Sequence, residues 1–64
     1  MNITINGTPH DLIATNVEGA LSEAGFTGKV ATALNGAFVP KGLRATTPLT
    51  EGAALEVLAP MQGG

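Results

Sequence analysis

Two Asn-Gly dipeptides, Asn6-Gly7 and Asn35-Gly36, constrain this chain more than any other feature. Asparagine followed by glycine suits a two-residue turn in which both central residues take positive φ, and such turns join antiparallel strands. The flanking residues fit hairpins. Met1-Asn2-Ile3-Thr4-Ile5 alternates apolar and polar side chains, the period-2 pattern of a strand with one buried face. After the first turn, Thr8 to Leu12 returns as a second strand. Pro9 lacks a donor N–H, which places that strand at a sheet edge. Val30 to Leu34 reads as an apolar strand interrupted by Thr32, expected to be buried on both faces and therefore central. After the second turn, Ala37-Phe38-Val39 forms a short strand that stops at Pro40.

A helix lies between the hairpins. Asn16 or Thr15 can cap it, and Glu18 complements the dipole in its first turn. Val17, Ala20, Leu21 and Ala24 make one apolar stripe. Gly25 suits the left-handed position after the helix, with Phe26 free to fold back on its end. Gly19 within the helix costs about 1 kcal/mol relative to alanine, and a need for close packing is the one sequence-level reason for it. Lys41 to Pro48 reads as a polar connection with a helical turn around Leu43, anchored by Leu49, before a Thr50-Glu51-Gly52 turn. Ala54 to Ala59 is the last strand. Leu55 and Val57 share one face, Glu56 and Leu58 the other, and Leu58 is either core or an exposed contact.

Hairpin, helix, hairpin and final strand make an α+β domain. The economical packing is a single mixed sheet of about five strands with one helix across one face. The first and last strands lie parallel at its centre, joined by right-handed connections. That is the β-grasp, or ubiquitin-like, architecture, expected over residues 1–59. Residues 60–64 then form a flexible C-terminal tail ending in Gly63-Gly64.

The composition excludes several classes of function. A chain of 64 residues has room for one thin core. It lacks an internal pocket of the roughly 300 Å³ a substrate requires, which argues against a complete enzyme. The formal net charge is −2, and Lys29, Lys41 and Arg44 are the only basic residues, too few for a phosphate-tracking stripe. Phe26 and Phe38 are the only aromatics, which argues against base stacking, so nucleic acid is not expected as a partner. There is no cysteine to act as nucleophile, redox centre or zinc ligand. His10 is the single histidine, beside Asp11 on a strand where neighbours point to opposite faces, so no metal set forms. The five acidic residues are scattered, and neither GxGxxG nor GxxxxGK[ST] occurs. No leader-like run or stretch of about 20 apolar residues is present, so no membrane association is expected and the reading is a soluble cytoplasmic protein.

The candidate reactive group is at the end of the chain. Gly63 and Gly64 carry no side chain and can pass a channel too narrow for a Cβ. Such a tail delivers one group, the carboxylate of Gly64. Gln62 and Gly63 would supply reach, while Phe38, Leu58, Pro60 and Met61 are candidates for an apolar docking patch beside it.

Along essentially its whole length the chain resembles the sulfur carrier protein of thiamine biosynthesis, a member of the ubiquitin-like family. The resemblance is strongest over Ala33-Leu34-Asn35-Gly36-Ala37-Phe38-Val39-Pro40-Lys41 and over Leu55-Glu56-Val57-Leu58-Ala59-Pro60-Met61-Gln62-Gly63-Gly64. It implies that a ubiquitin-activating-type adenylyltransferase, using ATP and magnesium that it binds itself, adenylates Gly64. A persulfide sulfur donor would then displace AMP to leave a thiocarboxylate, and thiazole synthase would take the sulfur. The protein would bind no cofactor of its own and would be a co-substrate rather than an enzyme. Departures from the family pattern are Ala53 after Gly52, the Leu43-Arg44 pair, and the helix with Gly19. Two other roles suit the same architecture: sulfur carrier for molybdopterin synthesis, and a ubiquitin-like modifier joined to lysines of other proteins.

Overall fold

The computed structural model describes residues 1–59. Its elements are β1 (Asn2–Ile5), β2 (Thr8–Asp11), α1 (Val17–Glu23), β3 (Ala31–Leu34), β4 (Ala37–Val39), a 3-10 helix (Lys41–Thr46) and β5 (Ala54–Leu58). One sheet takes the order β2-β1-β5-β3-β4. β5 runs parallel to β1 and antiparallel to β3, and the two hairpins complete the flanks. This is the β-grasp architecture, with β2 and its Pro9 at an edge.

Both hairpins turn as their dipeptides require. Asn6 and Asn35 each have φ of 51°, followed by Gly7 at 81° and Gly36 at 86°. Two successive positive φ angles match the right-handed twist of the paired strands.

The core follows strand alternation. Ile3 and Ile5 of β1 and Leu55 and Val57 of β5 are buried with Val17, Ala20 and Leu21 of α1, and Leu12, Leu49 and Ala53 close the cluster. Asn16 caps α1, its Oδ1 accepting from the Gly19 amide at 2.7 Å. At the other end Gly25 takes φ of 85°. The Phe26 amide donates to the Leu21 carbonyl and the Gly25 amide to that of Ser22, the paired bonds of a left-handed glycine cap. Phe26 packs back on the core. A Cβ on Gly19 would lie 3.0 Å from the Ala14 Cβ and 3.1 Å from Asn16 Oδ1, so close packing is the reason for that glycine.

One expectation is corrected. β3 is internal but is not buried on both faces: Ala31 is exposed, Ala33 and Leu34 are half-buried, and polar Thr32 is the fully buried residue. One helix covers one face, so alternate residues of β3 face outward. The connection after β4 carries the expected helical turn around Leu43, lengthened to a two-turn 3-10 helix over Lys41–Thr46. Its Arg44 is 8% exposed. Arg44 Nε donates to Thr32 Oγ1 at 3.2 Å and Nη2 donates to the Val30 carbonyl, while Thr32 Oγ1 donates to the Val39 carbonyl at 2.9 Å. Leu49 anchors the following segment in the core as expected, whereas Leu43 is exposed.

Candidate functional site

β5 is the strand from which the chain continues toward Gly64, and both turn asparagines grip it. The Asn6 amide donates to the Leu55 carbonyl at 2.9 Å. Its side chain then repeats the pattern of a backbone: Nδ2 donates to the Val57 carbonyl at 3.0 Å and Oδ1 accepts from the Val57 amide at 2.8 Å. The parallel β1–β5 ladder is thereby prolonged past the end of β1. On the other flank the Asn35 amide donates to the Ala54 carbonyl, and Asn35 Oδ1 accepts from the Ala54 amide at 2.8 Å. β5 is fixed in register from both sides, near both its ends.

The face of the sheet turned away from α1 carries the apolar residues the sequence singled out. Phe38 is 70% exposed and Leu58 67% exposed. Ala33 pairs with Phe38 on one side and Glu56 on the other, and Ala31 pairs with Leu58. The alanines of β3 therefore floor a shallow hollow of about 100 Å³, walled by Phe38 on β4 and by Leu58 and Glu56 on β5. The ambiguity over Leu58 resolves toward the surface. Leu58 precedes Ala59, the last described residue, so the hollow adjoins the point where the chain leaves the sheet.

Pro60, Met61, Gln62, Gly63 and Gly64, the remaining sequence-predicted site residues, lie outside the described residues. The described residues bring Phe38 and Leu58 to one face and add Ala31, Ala33 and Glu56 to it. Sequence reading placed Glu56 on the Leu58 face but missed Ala31 and Ala33, because alanine carries little pattern information. It also took the asparagines as turn formers alone, although asparagine, unlike glycine or aspartate, can offer both a donor and an acceptor to a neighbouring strand. Among the described residues no three His, Cys, Asp or Glu side chains converge as a metal site. No described helix is long and apolar enough to cross a membrane.

Comparison with known proteins places this geometry in context. The model of the ThiS family matches residues 3–64. No curated protein matches significantly. Among solved structures, the crystal structure of a thiamine biosynthesis protein (ThiS) from Geobacter metallireducens superposes with a TM-score of 0.84 at 32% identity, covering all of both chains. The solution structure of a thiamine biosynthesis protein from the same organism gives a TM-score of 0.78 at 32% identity, over all of this chain and 88% of the other.

Proposed function

The chain belongs to the ThiS family, and from that premise we propose that it is the sulfur carrier of thiamine biosynthesis, acting through the carboxylate of Gly64. The observation that carries the reading is the end-to-end likeness to a thiamine biosynthesis protein, at 32% identity and complete mutual coverage, in a fold whose central strand leads to Gly63-Gly64. The protein is a carrier rather than a catalyst, and its partners hold the catalytic groups.

A carboxylate is a poor acyl donor because oxide is a bad leaving group. In the proposed cycle a Gly64 oxygen attacks the α-phosphorus of ATP on an adenylyltransferase of the ubiquitin-activating type, and pyrophosphate leaves. The resulting acyl adenylate has AMP as a good leaving group. The terminal sulfur of a persulfide attacks the acyl carbon and displaces AMP. A thiol then reduces the acyl disulfide, leaving the thiocarboxylate on Gly64 and a disulfide on the donor. Thiazole synthase receives the sulfur. ATP and magnesium belong to the adenylyltransferase. Gln62 and Gly63 supply reach and a slim profile, and the hollow between Phe38 and Leu58 is the apolar surface on which partners seat, with Pro60 and Met61, next in sequence, as further apolar contacts.

Intact mass of the protein from thiamine-starved cells tests the reading. A species with one oxygen exchanged for sulfur, mapped to Gly64, is the expected result. Incubation with the cognate adenylyltransferase, ATP and a persulfide donor should produce the same species, and deletion of Gly64 should abolish it while leaving the melting temperature unchanged. An unmodified terminus under both conditions would overturn the proposal, and conjugates on lysines of other proteins would move the role to a protein modifier.

A further inference from the structure

A second pocket opens between α1 and the 3-10 helix and shares no lining residue with the apolar hollow. It is an open cleft of about 270 Å³. Leu21, Phe26 and Val30 give it an apolar wall, and Arg44 and Lys41 give it two cationic groups against the single carboxylate of Glu18. Lys29 sits between the lining residues Gly28 and Val30. Every basic residue of the chain is thus in or beside this one pocket.

Arg44 is the unusual member. It is 8% exposed, yet its two side-chain hydrogen bonds go to neutral oxygens, of Thr32 and Val30. A guanidinium has five N–H donors, so further donors remain for an anion. The ion pair among the described residues joins the N-terminal ammonium to Asp11, not Arg44 to an acid. A charge taken this far out of water is costly without a counter-charge.

Register places the pocket beside the chain's exit. Ala31 pairs with Leu58, and Thr32 pairs with both Val57 and Val39. Val30, before β3, and Lys41, just past β4, therefore come to the end of the sheet at which β5 finishes and the chain passes on to Gly64.

We propose that this pocket is a socket for an aspartate or glutamate side chain of the protein that acts on Gly64. The proposal rests on the carrier reading above. The carboxylate would meet Arg44 and Lys41, and its methylenes would lie on Leu21, Phe26 and Val30. A free phosphate uses the charges but gains nothing from that wall, which is why a side chain is the better fit. The partner would then hold the carrier at two places around the exit, by the hollow on one face of the sheet and by an ion pair on the other.

The test is ATP–pyrophosphate exchange by the cognate adenylyltransferase, with the full-length carrier as varied substrate, at low and high salt. Lys41→Glu and Lys29→Glu change exposed residues, so their folding can be verified by thermal melting. Arg44 holds β3 and is left intact. Lys41→Glu should raise KM about tenfold with kcat unchanged and should flatten the rise of KM with salt seen for the unaltered protein, as expected for loss of a steering contact. Lys29→Glu should do the same more weakly. Exchange with an unaltered KM for both variants would overturn the socket while leaving the carrier reading in place. Absence of exchange with the unaltered protein would remove both. A shift of the Gly64 amide resonance in isolated Lys41→Glu would show that the chain's own carboxylate fills the pocket, and would also overturn the proposal.

Discussion

Asn6 and Asn35 occupy equivalent places in two hairpins, yet β5 makes different demands on them. The Asn6 side chain gives Val57 both a donor and an acceptor, whereas the Asn35 side chain gives Ala54 an acceptor alone. Aspartate tolerates the same positive φ, so its substitution isolates the side-chain chemistry. Asn6→Asp should set a carboxylate against the Val57 carbonyl and lower stability by about 1–3 kcal/mol. Asn35→Asp should be nearly neutral. Urea midpoints at constant slope distinguish the two. Gly19 gives a second single-residue prediction. Helix propensity alone would have Gly19→Ala gain about 1 kcal/mol. The new Cβ, however, would press on Ala14 and on the oxygen that caps the helix. Ala14 cannot retreat freely, because its amide and that of Ile13 both donate to the Glu23 carboxylate, at 2.9 and 3.0 Å. The variant should therefore melt below the unaltered protein, not above it.

Among the elements, β3, β4 and the 3-10 helix are tied together by one hydroxyl. Thr32 Oγ1 donates to the Val39 carbonyl and accepts from Arg44 Nε, which joins three elements at a buried point. Valine has nearly the same shape but neither function. Thr32→Val should leave the carbonyl and the guanidinium short of partners and cost about 2–3 kcal/mol, despite the gain in apolar surface. Thermal unfolding would measure it, and an unchanged midpoint would mean that water replaces the hydroxyl. The same knot shows where sequence reading stopped. Turns, caps and the buried alternation of β1 and β5 were legible because each depends on residues adjacent in the chain. The placement of Arg44 was not, because an arginine goes inside only where distant carbonyls and hydroxyls receive it, and nothing in Leu43-Arg44-Ala45 encodes those acceptors. β3 misled for the opposite reason: Ala31 and Ala33 count as apolar in any pattern, yet alanine is small enough to face water without appreciable cost.

For the molecule as a whole, the two faces of the one sheet differ in what they bury. The covered face holds the core, and the open face leaves Phe38 and Leu58 largely in water. Replacing either by aspartate should change stability by no more than about 0.5 kcal/mol. Both changes should nevertheless slow thiocarboxylate formation by at least tenfold if partners seat on the hollow, as loss of an apolar anchor does at interfaces. Equal rates at matched melting temperatures would exclude that face. Among the described residues of the candidate site, the two large apolar residues were legible in the sequence; the alanine floor and the cationic pocket depend on strand register, which is fixed by pairing across the whole chain. The position of β5 has a mechanical consequence. Any protein that draws Gly64 into a narrow channel pulls on a strand bonded on both sides, to β1 and to β3. A pull along the axis of β5 loads two hydrogen-bonded ladders in shear, so that their bonds share the force. A tail rooted in an edge strand would load one such ladder, where β5 offers two.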